Sequence, residues 1–241
     1  MASTSQIKLL QRQRDIAGVT AFREAGYTGK GWNVLQLESS TSDHATECVA
    51  DILDIAPGMT VYRATSTIIT KSSGVTATCK YNGITYTLEE FIKQYNIKFV
   101  TKSVGGKPVD IVKSAYFQDL IDRYNIILVT PAGNKGKSGL CVAFPVDVSI
   151  VVGAVGLSDS NTISVLNYSG RGNEVDFVYF MGYRTGTSYA APRLLGVMGL
   201  LSEKYGDMTK DEMYSLLKSL CREIDSSGTY NDGYGIPILK V

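Results

Sequence analysis

Apolar and polar positions change rhythm repeatedly along this chain. Over "TSQIKLLQRQRDIAGVTAFREAG" the apolar residues recur at helical spacing and stop at Gly26, and "YTGKG" then supplies turn glycines before the apolar run "WNVLQL". That succession predicts helix, turn and strand. Further β-like runs are "MTVYRA", "IKFVTKS", "NIILVTPAG", "SIVVGAV" and "VDFVYFM", several too apolar to leave one face to water, as expected of strands inside a sheet. Helical patterns cover "HATECVADILDIAPG", "TLEEFIKQY" and "PVDIVKSAYFQDLIDRY", and late in the chain "SYAAPRLLGVMGLLSEKYG" and "MTKDEMYSLLKSL". The alternation predicts an α/β fold, with a mostly parallel, doubly wound sheet and helices on both faces. Residues 65–87 break the rhythm: they are rich in Ser and Thr, and Asn82-Gly83 favours a tight hairpin turn, so they read as a surface insertion. The first residues, 1–15, are read as a mobile N-terminal arm.

Composition narrows this without changing it. A chain of 241 residues that is 44% hydrophobic is long enough for one substantial core, so residues 1–241 are expected to form a single domain. Lys and Arg number 24 against 23 Asp and Glu, a net charge of +1 that offers no long-range field to nucleic acid or an anionic membrane. The N-terminal stretch lacks the continuous apolar segment of a signal or spanning helix, which predicts a cytoplasmic location. Cys48, Cys79, Cys141 and Cys221 are widely spaced, with no C-x-x-C pair, and are expected to be free thiols. No cofactor is called for.

In an open parallel sheet, ligands gather beyond the carboxyl ends of the strands. Four segments put polar or glycine-rich residues there: "LESSTSDHAT", "TKSVGG", "TPAGNKG" and "TGTSYAAP". Ser188 opens a helix, which makes it either a cap or a nucleophile, since a helix N-terminus presents N–H groups where an oxyanion would form. A serine hydroxyl needs a base to take its proton, and histidine, with a usual pKa of ~6.5, is the common one. The chain has one histidine, His44, at the start of the helix after "LQLE". That base needs a carboxylate to fix its tautomer. Glu38, ending the preceding strand, is the candidate, with "SSTSD" returning the chain; Asp43 competes. Asn134, after "NIILVT", offers an amide donor for an oxyanion or is simply a turn residue.

These residues resemble those of the subtilisin-like serine proteases. "GTSYAAP" fits that family's Gly-Thr-Ser-x-Ala-(Ala/Ser)-Pro motif at every fixed place, and the likeness runs from "GYTGKGWNVLQLE" to "GYGIPIL". The family order of acid, histidine, asparagine and serine is met by Glu38, His44, Asn134 and Ser188. The resemblance implies a subtilisin-like three-layer fold and a serine endopeptidase. Ser188 would be its nucleophile, His44 the general base and Glu38 the acid, with Asn134 and the Ser188 N–H forming the oxyanion hole. It also implies that Ser103, Val104, Gly105 and Gly106 bind an extended peptide by β-augmentation. Ala132 and Gly133 would form the opposite wall of the primary pocket, where glycines permit a large apolar side chain.

Three features depart from the family pattern. Glu38-Ser39-Ser40 replaces Asp-(Ser/Thr)-Gly, "HATE" replaces His-Gly-Thr-His, and the loop from acid to base is much shorter. Glu is longer than Asp by about 1.5 Å, a difference the shortened loop is expected to absorb. Glu47 reads as a solvated first-turn charge. The family's calcium loops are trimmed, so no obligatory metal is expected. The altered acid motif keeps a second reading open, a pseudoprotease that binds a peptide or partner without cutting it. A transpeptidase, in which an amine attacks the acyl-enzyme, would use the same constellation as hydrolysis.

Overall fold

The computed structural model describes residues 2–38, 43–224 and 232–241. In chain order the elements are α1 (Thr4–Ile16), α2 (Val19–Glu24), β1 (Asn33–Glu38), α3 (Asp43–Ile55), β2 (Thr60–Lys71), β3 (Gly74–Tyr81) and β4 (Ile84–Thr87). They continue with α4 (Leu88–Gln94), β5 (Phe99–Thr101), α5 (Ile111–Tyr124), β6 (Ile127–Pro131), β7 (Ser149–Leu157), β8 (Ile163–Val165) and β9 (Phe177–Phe180). The chain ends with α6 (Thr187–Tyr205), α7 (Lys210–Ser219), β10 (Cys221–Arg222) and β11 (Ile236–Pro237).

Among the described residues, nine strands form one sheet in the order β4-β3-β2-β1-β5-β6-β7-β8, with β9 also on β7. The β2-β1-β5-β6-β7-β9 pairings are all parallel, whereas β3, β4 and β8 pair antiparallel. Strands buried on both faces alternate which layer they feed. Val34, Phe99, Ile127 and Val129 pack into the core beneath α3 and α6, while Leu35, Leu37, Val100 and Leu128 pack into the core beneath α4 and α5. This is the predicted doubly wound α/β architecture, with a helical layer on each face.

Two local expectations change. Residues 4–16, read as the bulk of a mobile arm, form a capped helix: the Ser3 hydroxyl accepts from the Gln6 N–H, and the Gln6 side chain returns to the Ser3 N–H. Arg12 fastens that helix to the carbonyls of Ser158 and Asp159 and to the Asn161 side chain, and buried Gln13 donates to the Gly182 carbonyl. The segment 65–87, read as a surface insertion, is built into the edge of the sheet. It extends β2 and adds β3 and β4 as an antiparallel edge, turning at Asn82 and Gly83, both at positive φ (49° and 83°) as such a hairpin requires.

Candidate active site

The carboxyl ends of β1, β5 and β6 and the N-terminus of α6 converge on one side of the sheet. Glu38 is the last residue of β1 and only 3% exposed. His44 is the second residue of α3, its side chain about one-third exposed, and its Nδ1 stands 3.8 Å from Glu38 Oε2. The linking residues 39–42, which hold most of the predicted return loop, lie outside the described residues. Gln36, inside β1, donates to the Ala45 carbonyl at 3.1 Å and so ties the strand to the start of α3. Asp43, the competing acid, is exposed, and the buried carboxylate facing His44 is that of Glu38.

Helix α6 begins at Thr187, after Gly186 at φ 137°, and is buried continuously from Ala190 to Ser202, while Ser188 and Tyr189 are half-buried. Gly186 has no side chain with which to cap the helix, so Asn134 does so from β6's exit loop. Asn134 Oδ1 accepts from the Thr187 N–H at 2.9 Å and from the Thr187 hydroxyl at 3.1 Å, while the Gly133 N–H donates to Thr187 Oγ1 at 3.0 Å. With Oδ1 committed to two donors, the orientation of the Asn134 amide is fixed and its Nδ2 remains as a donor group beside Ser188. Ser188 is therefore not the capping side chain of its own helix.

Pro192 is the sixth residue of α6, beyond the first turn in which proline is free of cost. Its missing N–H would have bonded the Ser188 carbonyl. That carbonyl instead accepts from the Ser103 hydroxyl at 3.0 Å and the Cys48 thiol at 3.4 Å. The exit of β5 and the first turns of α3 are thus fastened to the backbone of Ser188. Cys48, one helical turn beyond His44, is fully buried, and its Sγ lies 4.0 Å from His44 Nδ1 and 3.9 Å from Nε2. Burial pushes its thiol up to about 12, so it stays protonated near neutral pH.

Glu47 is not a merely solvated charge. Its carboxylate accepts from the Tyr189 hydroxyl at 2.8 Å and pairs with Arg184 Nε at 3.2 Å. These partners hold its carboxyl below the usual range against the opposing effect of burial. Tyr189 in turn sets its ring against the His44 imidazole, centroids 5.3 Å apart and tilted by 54°. The substitution of Glu within "HATE" therefore has a partner in the residue that follows Ser188. The pairing joins positions 142 apart in sequence, which no local pattern could have announced.

Beside Ser188 lies a cleft of about 250 Å³ lined by Ser103, Val104, Gly105, Gly133 and Asn134 together with Pro131, Lys135, Cys141 and Thr187. Five of the sequence-predicted positions thus meet Ser188 in one cavity. Two do not line it. Ala132 is buried in the core, its N–H donating to the Val152 carbonyl and its own carbonyl accepting from the Cys141 N–H, and Gly106 backs onto the Val142 carbonyl. The room that the glycines were expected to leave is largely taken by Cys141. A Cβ on Gly105 would lie 2.5 Å from its Sγ, and one on Gly133 would lie 2.8 Å from its Cβ. Sequence reasoning missed Cys48, Cys141 and Tyr189, since a small apolar-seeming residue and an aromatic in a helical pattern carry no chemical signal of their own.

No family model and no curated protein matches this sequence. Solved structures do resemble it. Fervidolysin from Fervidobacterium pennivorans, a keratinolytic enzyme related to subtilisin, superimposes with a TM-score of 0.66 at 17% identity over 94% of this chain. This chain spans only 44% of the length of that protein. The prenylagaramide maturation protease PagA gives a TM-score of 0.67 at 16% identity, covering 92% of this chain and 95% of PagA. MycP1 with its N-terminal propeptide removed gives 0.66 at 14% identity, covering 94% and 95%. In the path of its chain and the build of its sheet, this protein has the subtilisin-like fold.

Proposed function

We propose that this chain is a serine endopeptidase that cleaves extended protein or peptide segments through an acyl-enzyme on Ser188. The reading is supported by three contacts: buried Glu38 stands 3.8 Å from the Nδ1 of His44, the His44 ring lies against Tyr189, the residue after Ser188, and the first N–H of the helix that holds Ser188 in its first turn is capped by the Asn134 amide. In this mechanism His44 takes the Ser188 hydroxyl proton as Oγ attacks the scissile carbonyl. Glu38 holds the imidazole in the tautomer with Nδ1 protonated and stabilises the imidazolium that forms. The developing oxyanion is met by Asn134 Nδ2 and the Ser188 N–H, aided by the positive end of α6. His44 then returns the proton to the leaving amine, and water, activated by the same base, releases the acyl group.

Exposed Gly105 and Gly106 and half-buried Val104 follow β5 without belonging to it, which leaves their backbone groups open to an extended peptide. The wall made by Cys141 favours a modest apolar side chain in the cleft over a large one. Among the described residues no helix is long and apolar enough to cross a membrane, and all four cysteines are unpaired. Free thiols suit a reducing compartment, so the reading places the enzyme in the cytoplasm. Neither a metal nor a cofactor takes part in the steps above.

A fluorophosphonate probe tests the assignment. Wild-type protein labels on Ser188, while Ser188→Ala and His44→Ala do not. Absence of labelling in the folded wild type would leave the scaffold as a peptide-binding module.

A further inference from the structure

Cys48 has no part in the proposed chemistry, yet it sits among the groups that do. On α3 it follows His44 by four residues and so shares its face. Its Sγ is within about one ångström of contact with both ring nitrogens, at 4.0 and 3.9 Å. Glu38 approaches the same ring from β1 at 3.8 Å. One ligand atom from each of the three residues can be chosen so that all lie within 4.8 Å of one another, and two of the three side chains are buried.

A thiol, an imidazole and a carboxylate form a donor set for zinc. Tetrahedral bonds of the usual Zn–S, Zn–N and Zn–O lengths hold their ligand atoms roughly 3.4–3.6 Å apart. The observed separations therefore need to contract by about one ångström or less, within reach of χ rotations of His44 and Glu38. The sulfur biases such a site towards Zn²⁺ and Cd²⁺ and away from Mg²⁺ and Ca²⁺, which prefer oxygen alone.

We infer that Glu38, His44 and Cys48 form a binding site for a single Zn²⁺-class cation, and that its occupation shuts off the chemistry at Ser188. The shut-off half of this inference rests on the protease reading; the binding half does not. Binding forms one bond each from sulfur, ring nitrogen and carboxylate oxygen to the metal, and the thiol proton passes to solvent. The cation takes the lone pair of His44 and its contact with Glu38 together, so the base is lost and its orienting acid with it. The metal is then an inhibitor that competes with catalysis, not a cofactor.

The experiment uses the whole chain, metal-free, with Co²⁺ as a spectroscopic probe and Zn²⁺ as the inhibitor. Co²⁺ is expected to give a thiolate charge-transfer band that Zn²⁺ bleaches and Mg²⁺ does not. Zn²⁺ is expected to block fluorophosphonate labelling, which a chelator restores. Measured against its own metal-free labelling, Cys48→Ala loses the band and needs a Zn²⁺ concentration higher by about 100-fold or more for the same block, because even groups that only orient a metal ligand cost about 10–100-fold in affinity. Cys48→Ser, closer in size and polarity, serves if the alanine variant does not fold. Protein that labels but shows no band, or Zn²⁺ inhibition equal in wild type and the Cys48 variants, overturns the site. Protein that shows a Cys48-dependent band but never labels upholds the site and overturns the protease reading.

Discussion

On the protease reading, the Asn134 side chain does two jobs with two ends. Oδ1 caps α6 through Thr187, and this leaves Nδ2 as the donor beside Ser188. Asn134→Ala is therefore expected to lower turnover by about 10²–10³ through the lost oxyanion donor, and to cost about 1 kcal/mol of stability through the lost cap. Steady-state kinetics and a urea titration of the same variant read the two effects separately; a variant as active as wild type would remove Asn134 from the oxyanion hole. Glu38→Gln keeps the size of the side chain and its burial but removes the charge facing Nδ1. Its expected loss is about 10⁴ in turnover with a small change in unfolding midpoint, by analogy with amide replacement of a triad acid elsewhere. A mild loss would show that Glu38 does not orient His44. At this scale the sequence was informative where chemistry is local and silent where it is not. That Glu38, His44, Asn134 and Ser188 lie towards the carboxyl edge of the sheet could be read, because each stands at or just past a strand end or in the first turn of a helix. The commitment of Glu47 to Tyr189 and Arg184 could not, because its partners lie more than 130 residues away.

Helices α3 and α6 carry His44 and Ser188, so their separation sets the geometry of the site. Two glycines of α6 fix it. A Cβ on Gly196 would lie 2.9 Å from the Ile52 carbonyl oxygen and 2.7 Å from Ile55 Cβ, and one on Gly199 would meet the Met59 sulfur at 2.3 Å. The Met59 side chain is flexible and can yield, but the Ile52 backbone cannot. Gly196→Ala is accordingly expected to push the helices apart and destabilise the fold by about 1–3 kcal/mol, read as a lowered urea midpoint with an unchanged slope. Labelling of Ser188 should slow in the same variant although no catalytic group has been touched. A wild-type midpoint would mean that the two helices tolerate wider spacing than their contact suggests. These elements were legible in outline. "NIILVT" reads as a doubly buried strand, and β6 is covered on both faces; the helical pattern of "TLEEFIKQY" is α4, which Thr87 caps. The extent of β2 was not legible: its outer half alternates weakly and is mostly exposed, so only pairing with β3 declares it a strand. The separation of α2 from α1 also depends on tertiary contact. Gly18 at φ 74° lets the chain bend there, and a Cβ would strike the Leu239 carbonyl oxygen at 2.1 Å.

Across the whole molecule, the ion network that braces these helices makes stability depend on pH in an unusual sense. Asp51 on α3 is 2% exposed and meets Arg193 Nη1 at 3.2 Å and Arg184 Nη1 at 3.1 Å, while Arg193 also reaches Asp54 at 2.8 Å. Burial pushes the Asp51 carboxyl up from 3.8 to about 6, outweighing the pull of Arg193 and Arg184. Asp176, beneath β7 and α7, is raised for the same reason, whereas the capping carboxylates Glu90 and Glu212 are held low by the hydrogen bonds they accept from Thr87 and Thr209. Between pH ~4 and ~6 the folded protein therefore binds more protons at Asp51 than the unfolded chain does, and stability falls as pH rises through that window. The decline from Asp51 amounts to at most about 3 kcal/mol and is complete above its folded-state pKa. The capping glutamates act oppositely, losing their contribution as pH drops through and below the usual carboxylate range. Stability should thus peak on the acid side of neutrality. Thermal midpoints measured from pH 4 to pH 8 are expected to show the decline between 4 and 6. Asp51→Asn, which removes the ionisation that burial opposes, should show a flatter profile there. An unaltered slope in that variant would mean that another group governs the acid limb, and that Asp51 is ionised throughout by the two guanidinium groups beside it.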